Sequence, residues 1–355
     1  MKASPEPRIC VTFLTVARNT DKQYIDFAVS SALAGLSLVE RADLNLKIYF
    51  ADTNPAVHSS WQTVLTNISD ETYSPRSTVP PSQLAHLVTL KREGNFEAKG
   101  SIDYATALRH CYATTTAPYI AIFEDDILFA DSWLTRTLLA LRDIDEQMAD
   151  RARKEYEWLF MRLFNEERAS GWESHALLRN NTPLISLGIA LALAGILVYL
   201  RDYRKGGRNM LAQRLDNATI FVVCGISVPV FVILFYQAGK ASMLPPWPGV
   251  RMEGFGCCTQ GMVFPRRSVP GLVEHLQKAA EMHRPYDIAM NDYATERGLE
   301  RFALYLVMVQ HVRTMSIINP DRGNENRVWS MAFESLSAKK LSADHQRMVK
   351  QVYIS

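Results

Sequence analysis

The sequence predicts an α/β fold with a mostly parallel sheet that is interrupted by a two-helix transmembrane hairpin. Short β-branched and aromatic runs alternate with segments of helical spacing, which is typical of parallel sheets. Two uncharged runs, Leu184–Leu200 and Thr219–Ala238, divide this pattern, and each approaches the roughly 20 residues that cross a bilayer core. The predicted parts are residues 1–182, the first half of the domain; 183–240, the hairpin; and 241–355, the second half.

Before the hairpin, the composition of short apolar runs predicts a series of strands. In chain order, these strands lie at Ile9–Val16, Leu44–Phe50, His86–Leu90, the run that starts at Tyr119, and Glu157–Phe164. Helical spacing predicts helices at Tyr24–Val39, Asp103–Tyr112 and a segment that opens at Ser132. The stretch Ser59–Pro81 is predicted to be a polar loop with a glycosylation sequon at Asn67.

After the hairpin the same alternation continues without starting a new domain. Strands are predicted at Gly256–Phe264 and Phe302–Val312, with helices at Val269–Ala280 and from Tyr286 onward. Neither half has enough strands to close a core by itself. We therefore expect one sheet that is built from both halves.

Three adjacent carboxylates, Glu124, Asp125 and Asp126, end the strand that starts at Tyr119. Unpaired carboxylates are costly to bury, so folding alone does not explain them. Such a cluster commonly holds a hard divalent cation, and strand ends are where open α/β sheets bind ligands. A solvated turn is the alternative, but the apolar flanks and the helix that opens soon afterwards favour a tight corner.

Composition and motifs exclude several classes of protein. The 355 residues carry a formal net charge of +2 without a basic stripe, so nucleic acid is not an expected partner. Five cysteines do not make a disulfide-dense scaffold. The sequence contains no phosphate loop, dinucleotide fingerprint, zinc-spaced cysteine pair or nucleophile elbow.

The segment between the two uncharged runs predicts the orientation of the hairpin. Its cations are Arg201, Arg204, Lys205, Arg208 and Arg214, and the outer flanks hold fewer. By the positive-inside rule this segment is cytosolic, and both halves of the domain are lumenal or extracellular. Core helices of a soluble protein are the alternative. Because the first residues contain no apolar signal segment, we expect either an anchor that precedes this sequence or the reverse orientation.

An acidic strand end in a lumenal α/β domain without a phosphate loop points to nucleotide-sugar chemistry. Mn²⁺ or Mg²⁺ on one or two carboxylates would neutralise the charge that grows on a nucleoside diphosphate leaving group. A separate carboxylate must deprotonate the attacking hydroxyl. Asp287 is the first candidate for this base, with Asp292 and Glu253 behind it. Asp287 could instead interact only with the dipole of its helix.

The acidic trio resembles the EDD variant of the DxD motif in glycosyltransferases of the A fold. Pro285–Asp287 and Val309–His311 are similar to the closing elements of such enzymes. With its internal hairpin and the segment Val328–Glu334, the chain resembles the Golgi family that adds N-acetylgalactosamine to the mannose of glycosylphosphatidylinositol (GPI) anchors. The resemblance implies a UDP-sugar donor bound by the first half, a manganese-like cation and a GPI-glycan acceptor on the second half. It also implies an inverting transfer and a multi-pass protein of the Golgi or endoplasmic reticulum membrane.

The resemblance and the charges of the residues assign roles to particular positions. The metal candidates are Asp126 as the main ligand, then Asp125 and His311. The donor-binding candidates are Thr15, Arg18, Asp52, Glu124, Asp125 and Lys99. Arg18 and Lys99 would counter the pyrophosphate charge, although they could be solvated surface cations. His311 could equally be a structural histidine.

The cysteines allow more than one pairing. Cys257 and Cys258 are adjacent, and a bond between them would be strained. In a lumenal domain each could pair with Cys10 or Cys111, and buried free thiols are the alternative. Cys224 lies in the second uncharged run and is expected to be free.

Two other functions remain open from the sequence alone. One is a lumenal glycosyltransferase that acts on N-glycans or on another lipid-linked glycan. The other is a non-enzymatic membrane protein that binds Ca²⁺ through the acidic trio. A hydrolase is disfavoured because no nucleophile–base signature supports it.

Overall fold

The computed structural model describes residues 2–18, 23–149, 157–165, 176–203, 215–238, 247–254, 259–312 and 329–353. The chain divides into two compact units. The first, here called the α/β unit, combines residues 1–166 with 247–355, and the second, the hairpin unit, comprises residues 167–246. The predicted fold class is confirmed, since the α/β unit holds one large mixed sheet and the hairpin unit holds two long apolar helices.

The strands of the α/β unit are short and mostly buried. They are β1 (Ile9–Thr15), β2 (Leu44–Phe50), β3 (Glu71–Tyr73), β4 (Tyr119–Glu124), β5 (Ile127–Phe129), β6 (Trp158–Arg162), β7 (Gly249–Met252), β8 (Gly261–Pro265), β9 (Glu300–Tyr305) and β10 (Val309–His311). Eight of them form a sheet in the order β3-β2-β1-β4-β8-β6-β9-β7, and β5 pairs with β10 in a small second sheet.

Helices connect the strands and cover the sheet. In the α/β unit they are α1 (Ile25–Leu33), α2 (Leu38–Asp43), α3 (Leu65–Ile68), α4 (Pro75–Thr78), α5 (Pro81–Arg92), α6 (Phe96–Thr114), α7 (Trp133–Ala149), α11 (Val269–Glu281), α12 (Tyr286–Arg297), α13 (Met331–Glu334) and α14 (Ala338–Tyr353). The hairpin unit contributes α8 (Ala176–Asn180), α9 (Thr182–Tyr203) and α10 (Asn217–Ala238).

The large sheet joins sequence-distant pieces of the chain. Strands β1, β2, β3 and β4 are parallel to one another, and β6 is parallel to β9. Strand β8 is antiparallel and lies between β4 and β6, with Phe123 opposite Gly261 and Met161 opposite Val263. A strand that follows the hairpin is therefore hydrogen-bonded on both sides to strands that precede it.

The sheet is buried on both faces, as expected for strands covered by helices. Side chains alternate along β1: Val11 and Phe13 join the core cluster on one face, and Cys10 joins the cluster on the other. On the second face, Cys10 forms a disulfide with Cys111 of α6, with their Cα atoms 5.9 Å apart. The expected pairing of either residue with Cys257 or Cys258 is therefore wrong, and residues 257 and 258 lie outside the described residues.

Three local predictions differ from the structure. The helix predicted at Tyr24–Val39 is two helices, because Gly35 adopts a φ of +75° that ends α1 and Ser37 caps α2 with a capping box. The strand predicted at His86–Leu90 is wrong, because the run lies in α5, where Leu87 and Leu90 are buried one helical turn apart. The stretch Ser59–Pro81, predicted to be a loop, contains β3 and two short helices.

The hairpin unit contains α9 and α10, each 22 residues long and apolar enough to cross a membrane. Of their most hydrophobic windows, 6% and 11% is buried. Core helices of a soluble protein would be mostly buried, so the low burial favours membrane spans. The central turns of α10, Val222–Ser227, are wound as a π-helix. Most of the basic segment between the helices, residues 204–214, lies outside the described residues.

Candidate active site

The acidic trio forms the corner between β4 and β5. Glu124 is the last residue of β4, and Asp125 and Asp126 form the turn that leads into β5. Strand β5 then pairs with β10 in antiparallel orientation. The side chains of Asp125 and Asp126 are almost completely buried. Two adjacent buried carboxylates require compensating donors or cations, so their partners define what this corner can bind.

A chain of hydrogen bonds from Ser60 through His58 and Thr15 holds the carboxylate of Asp125. The Thr15 hydroxyl at the end of β1 donates to Asp125 Oδ2 at 2.6 Å and lies 3.0 Å from His58 Nε2. The backbone N–H of Ser60 donates to His58 Nδ1 at 3.1 Å, so the ring proton is on Nε2 and points to Thr15. Burial lowers the pKa of the His58 imidazole, so the ring is neutral at pH 7. The relay fixes one carboxylate oxygen of Asp125.

Arg18 supplies the positive charge that the acids need. Its guanidinium donates to Asp125 Oδ1 and lies 3.3 Å from Asp126 Oδ2. Burial opposes its charge, but the two carboxylates outweigh burial and raise the pKa of Arg18 above its ordinary value. Burial, with help from the Asp126 charge, raises the pKa of Asp125 against the influence of Arg18. Arg18 is therefore a buried partner of the acids and not a solvated surface cation.

Glu124 faces a different set of groups from its two neighbours. Its Oε1 accepts a hydrogen bond from the Thr259 hydroxyl at 2.7 Å and lies 3.4 Å from the Tyr286 hydroxyl. The Tyr286 ring stacks on Tyr104 of α6, with centroids 4.9 Å apart. The trio thus has two sides, one cationic at Arg18 and one aromatic at Tyr286.

A pocket of about 150 Å³ opens between these two sides. Its walls come from the ends of β1 and β4, from α6 and from Tyr286 at the start of α12. Lys99 lies in the wall and is buried, and its ammonium donates to Asp103 and to the Ala51 carbonyl oxygen at 2.7 Å. The pocket walls therefore hold both cationic and aromatic side chains, and the acidic trio lies at the edge of the pocket.

Asp52 lies outside the lining of this pocket and supports it indirectly. Its Oδ2 accepts a hydrogen bond from the Ala17 backbone N–H at 2.6 Å, and its Oδ1 pairs with Lys91 at 2.9 Å. These bonds hold the segment that carries Arg18. The structure thus brings together Thr15, Arg18 and Asp52, three of the residues predicted to bind the donor.

The three predicted base candidates lie in different surroundings. Asp287 is exposed in the first turn of α12, directly after Tyr286 of the pocket wall, and its Oδ1 accepts from the Ile288 N–H at 2.8 Å. Asp292 forms a salt bridge with Arg284 at the surface. Glu253 lies 3.4 Å from the Tyr305 hydroxyl, outside the pocket lining.

The residues at Asp126 fit a divalent cation only in part. His311 Nε2 lies 3.7 Å from Asp126 Oδ1, close to the roughly 3 Å between neighbouring ligands of an octahedral ion bound at about 2.1 Å. Asp125 is committed to Thr15 and Arg18. Among the described residues no group of three or more Asp, Glu, His or Cys side chains is placed to hold a metal ion. The fit is therefore to a cation that takes one or two protein ligands and its other ligands from substrate and water.

Several functional residues were not predicted from the sequence. His58 lies in a stretch assigned to turn and loop, and only the fold brings it to Thr15. Tyr104 sits on a helix face where an aromatic residue indicates core packing. Tyr286 lies within Pro285–Asp287, a segment that the sequence analysis recognised, so a signal for this residue was available.

An acidic corner beside buried cations at the strand ends of an open α/β sheet lies where such sheets bind their ligands, which agrees with an enzyme that binds a nucleotide sugar. The family model described as GPI-N-acetylgalactosamine transferase PGAP4 matches residues 9–310, and the chain belongs to this family. The resemblance predicted from the sequence is thus confirmed, and the protein is a glycosyltransferase that acts on a GPI glycan. Family membership contradicts the non-enzymatic Ca²⁺-binding alternative.

The chain was also compared with solved structures and with curated protein sequences. The solved structure of the mannosyltransferase Ktr4p from S. cerevisiae is similar over 96% of this chain and 82% of that chain, with 11% identity and a TM-score of 0.32. A similarity this low carries no argument about the site. Comparison with curated protein sequences gives no match.

Proposed function

We propose that this protein transfers N-acetylgalactosamine from a UDP-sugar to the mannose of a GPI glycan, with inversion at the transferred carbon. The membrane would be that of the Golgi or endoplasmic reticulum, with the α/β unit lumenal. The observation that carries the proposal is the buried acidic corner, with Arg18 and Lys99 beside it in one pocket. The Cys10–Cys111 disulfide agrees with an oxidising lumen.

The donor diphosphate would lie in the pocket beside Arg18 and Lys99, at the edge that carries the acidic trio. Arg18 carries a fork of donors that matches phosphate oxygens, and Lys99 adds a compact charge in the lining of the same pocket. The rings of Tyr104 and Tyr286 offer a flat apolar wall for a uracil or a sugar face. Binding there would exclude water from the bond that breaks.

A divalent cation, Mn²⁺ or Mg²⁺, would be held by Asp126 and His311. When bound, it would supply charge neutralisation for the diphosphate that leaves. The Thr15–His58 relay and Arg18 hold Asp125, which in turn stands behind Asp126 and keeps the corner rigid. A rigid set of charges stabilises the transition state without reorganisation at the moment of reaction.

Asp287 would accept the proton of the attacking mannose hydroxyl. It directly follows Tyr286 of the pocket wall in sequence, and its side chain is exposed, so an acceptor could approach it from solvent. Asp292 is paired with Arg284 and Glu253 with the Tyr305 hydroxyl, and neither is adjacent in sequence to a residue of the pocket wall, so both are placed less well. Proton transfer to a positioned carboxylate contributes about 10²- to 10⁴-fold to rate.

The test is a donor assay on the full chain purified in detergent. UDP release would be measured from UDP-N-acetylgalactosamine and other nucleotide sugars, with Mn²⁺ or with chelator, in the presence of a synthetic GPI mannoside. We expect Asp126→Asn to reduce release at least about 100-fold, because several kcal/mol of charge stabilisation depend on the ion. Asp131→Asn, in an exposed acid five residues later, is the matched control and should behave as wild type.

Two results would contradict the proposal. Equal release by wild type and Asp126→Asn would remove the metal assignment. Preference for a donor without a UDP group would remove the donor assignment. Asp287→Asn separates the base from the donor site, because it should abolish transfer to the mannoside and leave donor binding unchanged.

A further inference from the structure

Two arginines meet on the sheet at a place that the proposed chemistry does not use. Arg162 is the last residue of β6 and its side chain is 1% exposed. Its Nη2 lies 3.3 Å from Asn291 Oδ1, and Arg301 Nη1 of β9 lies 3.3 Å from the same oxygen. Two guanidinium groups therefore share one neutral amide oxygen, whose direction is fixed because Asn291 Nδ2 donates to the Asp287 carbonyl oxygen at 2.8 Å.

The buried guanidinium of Arg162 has unused hydrogen-bonding capacity. Its Nε and Nη1 are buried and make no hydrogen bond in the described part of the chain. Burial, followed by repulsion from Arg301, lowers the pKa of Arg162 to about 10, while Glu253 opposes this shift. A buried cation that faces another cation and lacks partners for two of its nitrogens is costly. An anion with several acceptor oxygens would satisfy both arginines together.

This cluster lies on the same sheet face as Glu124 and near it. Ile122 is opposite Met262, and Met262 is opposite Arg162, so Arg162 lies two strands from β4, or about 10 Å across the sheet. Residues directly opposite each other share a face, and Glu124 shares the face of Ile122. The arginine pair is thus beside the pocket, not part of its lining.

Helix α12 extends from Glu124 to the arginine pair and contacts both. Tyr286 at its start reaches Glu124, and Asn291 reaches the arginine pair. Five residues of α-helix rise about 7.5 Å. The candidate base Asp287 lies between these two contacts in sequence. A group bound by the arginines would therefore lie about 7.5 Å along α12 from Tyr286, a separation similar to the length of one sugar unit.

We propose that Arg162, Arg301 and Asn291 form a subsite for a phosphodiester of the acceptor glycan, carried on a sugar next to the one that receives the new residue. The inference rests on the proposed function, because it assigns the acceptor to this side of the pocket. Arginine forks match phosphate geometry with two parallel hydrogen bonds. The two guanidinium charges, set against the one carboxylate of Glu253, leave a single positive charge, which suits the single negative charge of a phosphodiester.

The donor diphosphate is the competing source of phosphate at this cluster. It has its own cations, since Arg18 and Lys99 line the pocket and neither Arg162 nor Arg301 does. An acceptor that carries a phosphate on the sugar next to the reacting mannose requires a second phosphate site, separate from that of the donor. The subsite would therefore select phosphorylated acceptors and set their position.

The experiment compares three synthetic mannose acceptors on the full chain in detergent. One carries a methyl phosphodiester on the neighbouring sugar, one carries it only at the lipid end, and one carries none. In Arg301→Gln, the KM for the first should rise at least about tenfold, the loss expected for a hydrogen bond to a charged group. The KM values for the other two acceptors and for the donor should change less than about twofold. Arg297→Gln, an exposed arginine of α12, is the control and should change none of them.

Each other outcome overturns the inference. An equal rise in KM for all three acceptors would mean that Arg301 is only structural. A rise confined to the lipid-end acceptor would place the lipid phosphate at this cluster. A raised KM for the donor would assign the cluster to the donor. A binding measurement stands apart from activity: millimolar dimethyl phosphate should raise the melting temperature of wild type and not that of Arg301→Gln. If wild type transfers no sugar, the proposed function fails, and this measurement still decides the anion subsite.

Discussion

Replacing Thr15 by valine tests the relay that holds the acidic corner. Valine has nearly the volume of threonine, so the change removes the hydroxyl and leaves packing almost intact. Thr15 is 1% exposed, which keeps water from taking the place of the lost group. The substitution leaves Asp125 Oδ2 without its donor at 2.6 Å and His58 Nε2 without its partner at 3.0 Å.

The expected loss of stability follows from these two orphaned groups. Each buried polar group that loses its hydrogen bond costs about 1–3 kcal/mol, and the cost is larger for a charged one. We expect Thr15→Val to lower the free energy of unfolding of the α/β unit by about 2–4 kcal/mol. Strand β1 offers a matched control in Thr12, which is also fully buried but has only two weak contacts, both at 3.4 Å, with Tyr73 and Cys111. Thr12→Val should cost below about 1 kcal/mol.

The assay is urea unfolding of the full chain in detergent, followed by tryptophan fluorescence. Trp133 and Trp158 are buried in the α/β unit and report its unfolding. The Thr15→Val midpoint should fall clearly below the Thr12→Val midpoint at unchanged slope. Equal losses for the two variants would refute the reasoning, because the hydroxyl of Thr15 would then contribute nothing through Asp125 and His58.

Two further predictions concern stability away from the pocket. Burial opposes the charge of Glu71, but hydrogen bonds from His110 and a neighbouring lysine outweigh it and lower its pKa from 4.5 to about 2. The stability that this carboxylate contributes is therefore present above about pH 4.5 and lost as the pH falls toward 2, so the difference between wild type and Glu71→Gln in urea titrations should disappear over that range. Removing the Cys10–Cys111 disulfide, which spans 101 residues, by a double alanine substitution should cost about 2–5 kcal/mol in the same assay. Cys224→Ala, which removes a free thiol, should leave the unfolding of the α/β unit unchanged.

The sequence predicted those elements whose local pattern agrees with their final environment. Strand β2 was predicted with its observed bounds, since its apolar run is buried and ends in turn residues. The run at His86 was wrong because five residues with two buried leucines fit either a strand or a helix, and only the preceding prolines and the neighbouring α6 decide between them. Strand β3 has three residues and depends on pairing with β2, which no local pattern encodes.

Some residues of the candidate site could likewise be predicted from local sequence pattern, and others could not. Glu124, Asp125 and Asp126 were visible because charge is unexpected at the end of an apolar strand. His58 and Arg162 were not predicted, since they gain their roles through contacts over more than 40 residues of sequence. A buried arginine inside an apolar run was itself a signal, because the strand Glu157–Phe164 was predicted to be buried and Arg162 lies within it.

Strand β8 explains how the domain tolerates a long insertion. Strands β4 and β6 precede the hairpin, but β4 lacks one neighbour until β8 has been synthesised, and β6 lacks both neighbours until β8 and β9 have been synthesised. The backbone N–H of Glu124 then donates to the Gln260 carbonyl oxygen at 3.0 Å, and Tyr286 and His311 reach the acidic trio from the second half. Since both the sheet and the site need residues from both halves, the first half alone can form neither. Chain synthesis from the N-terminus therefore completes the hairpin before the site exists, and an insertion at this point interrupts no strand pair that has already formed.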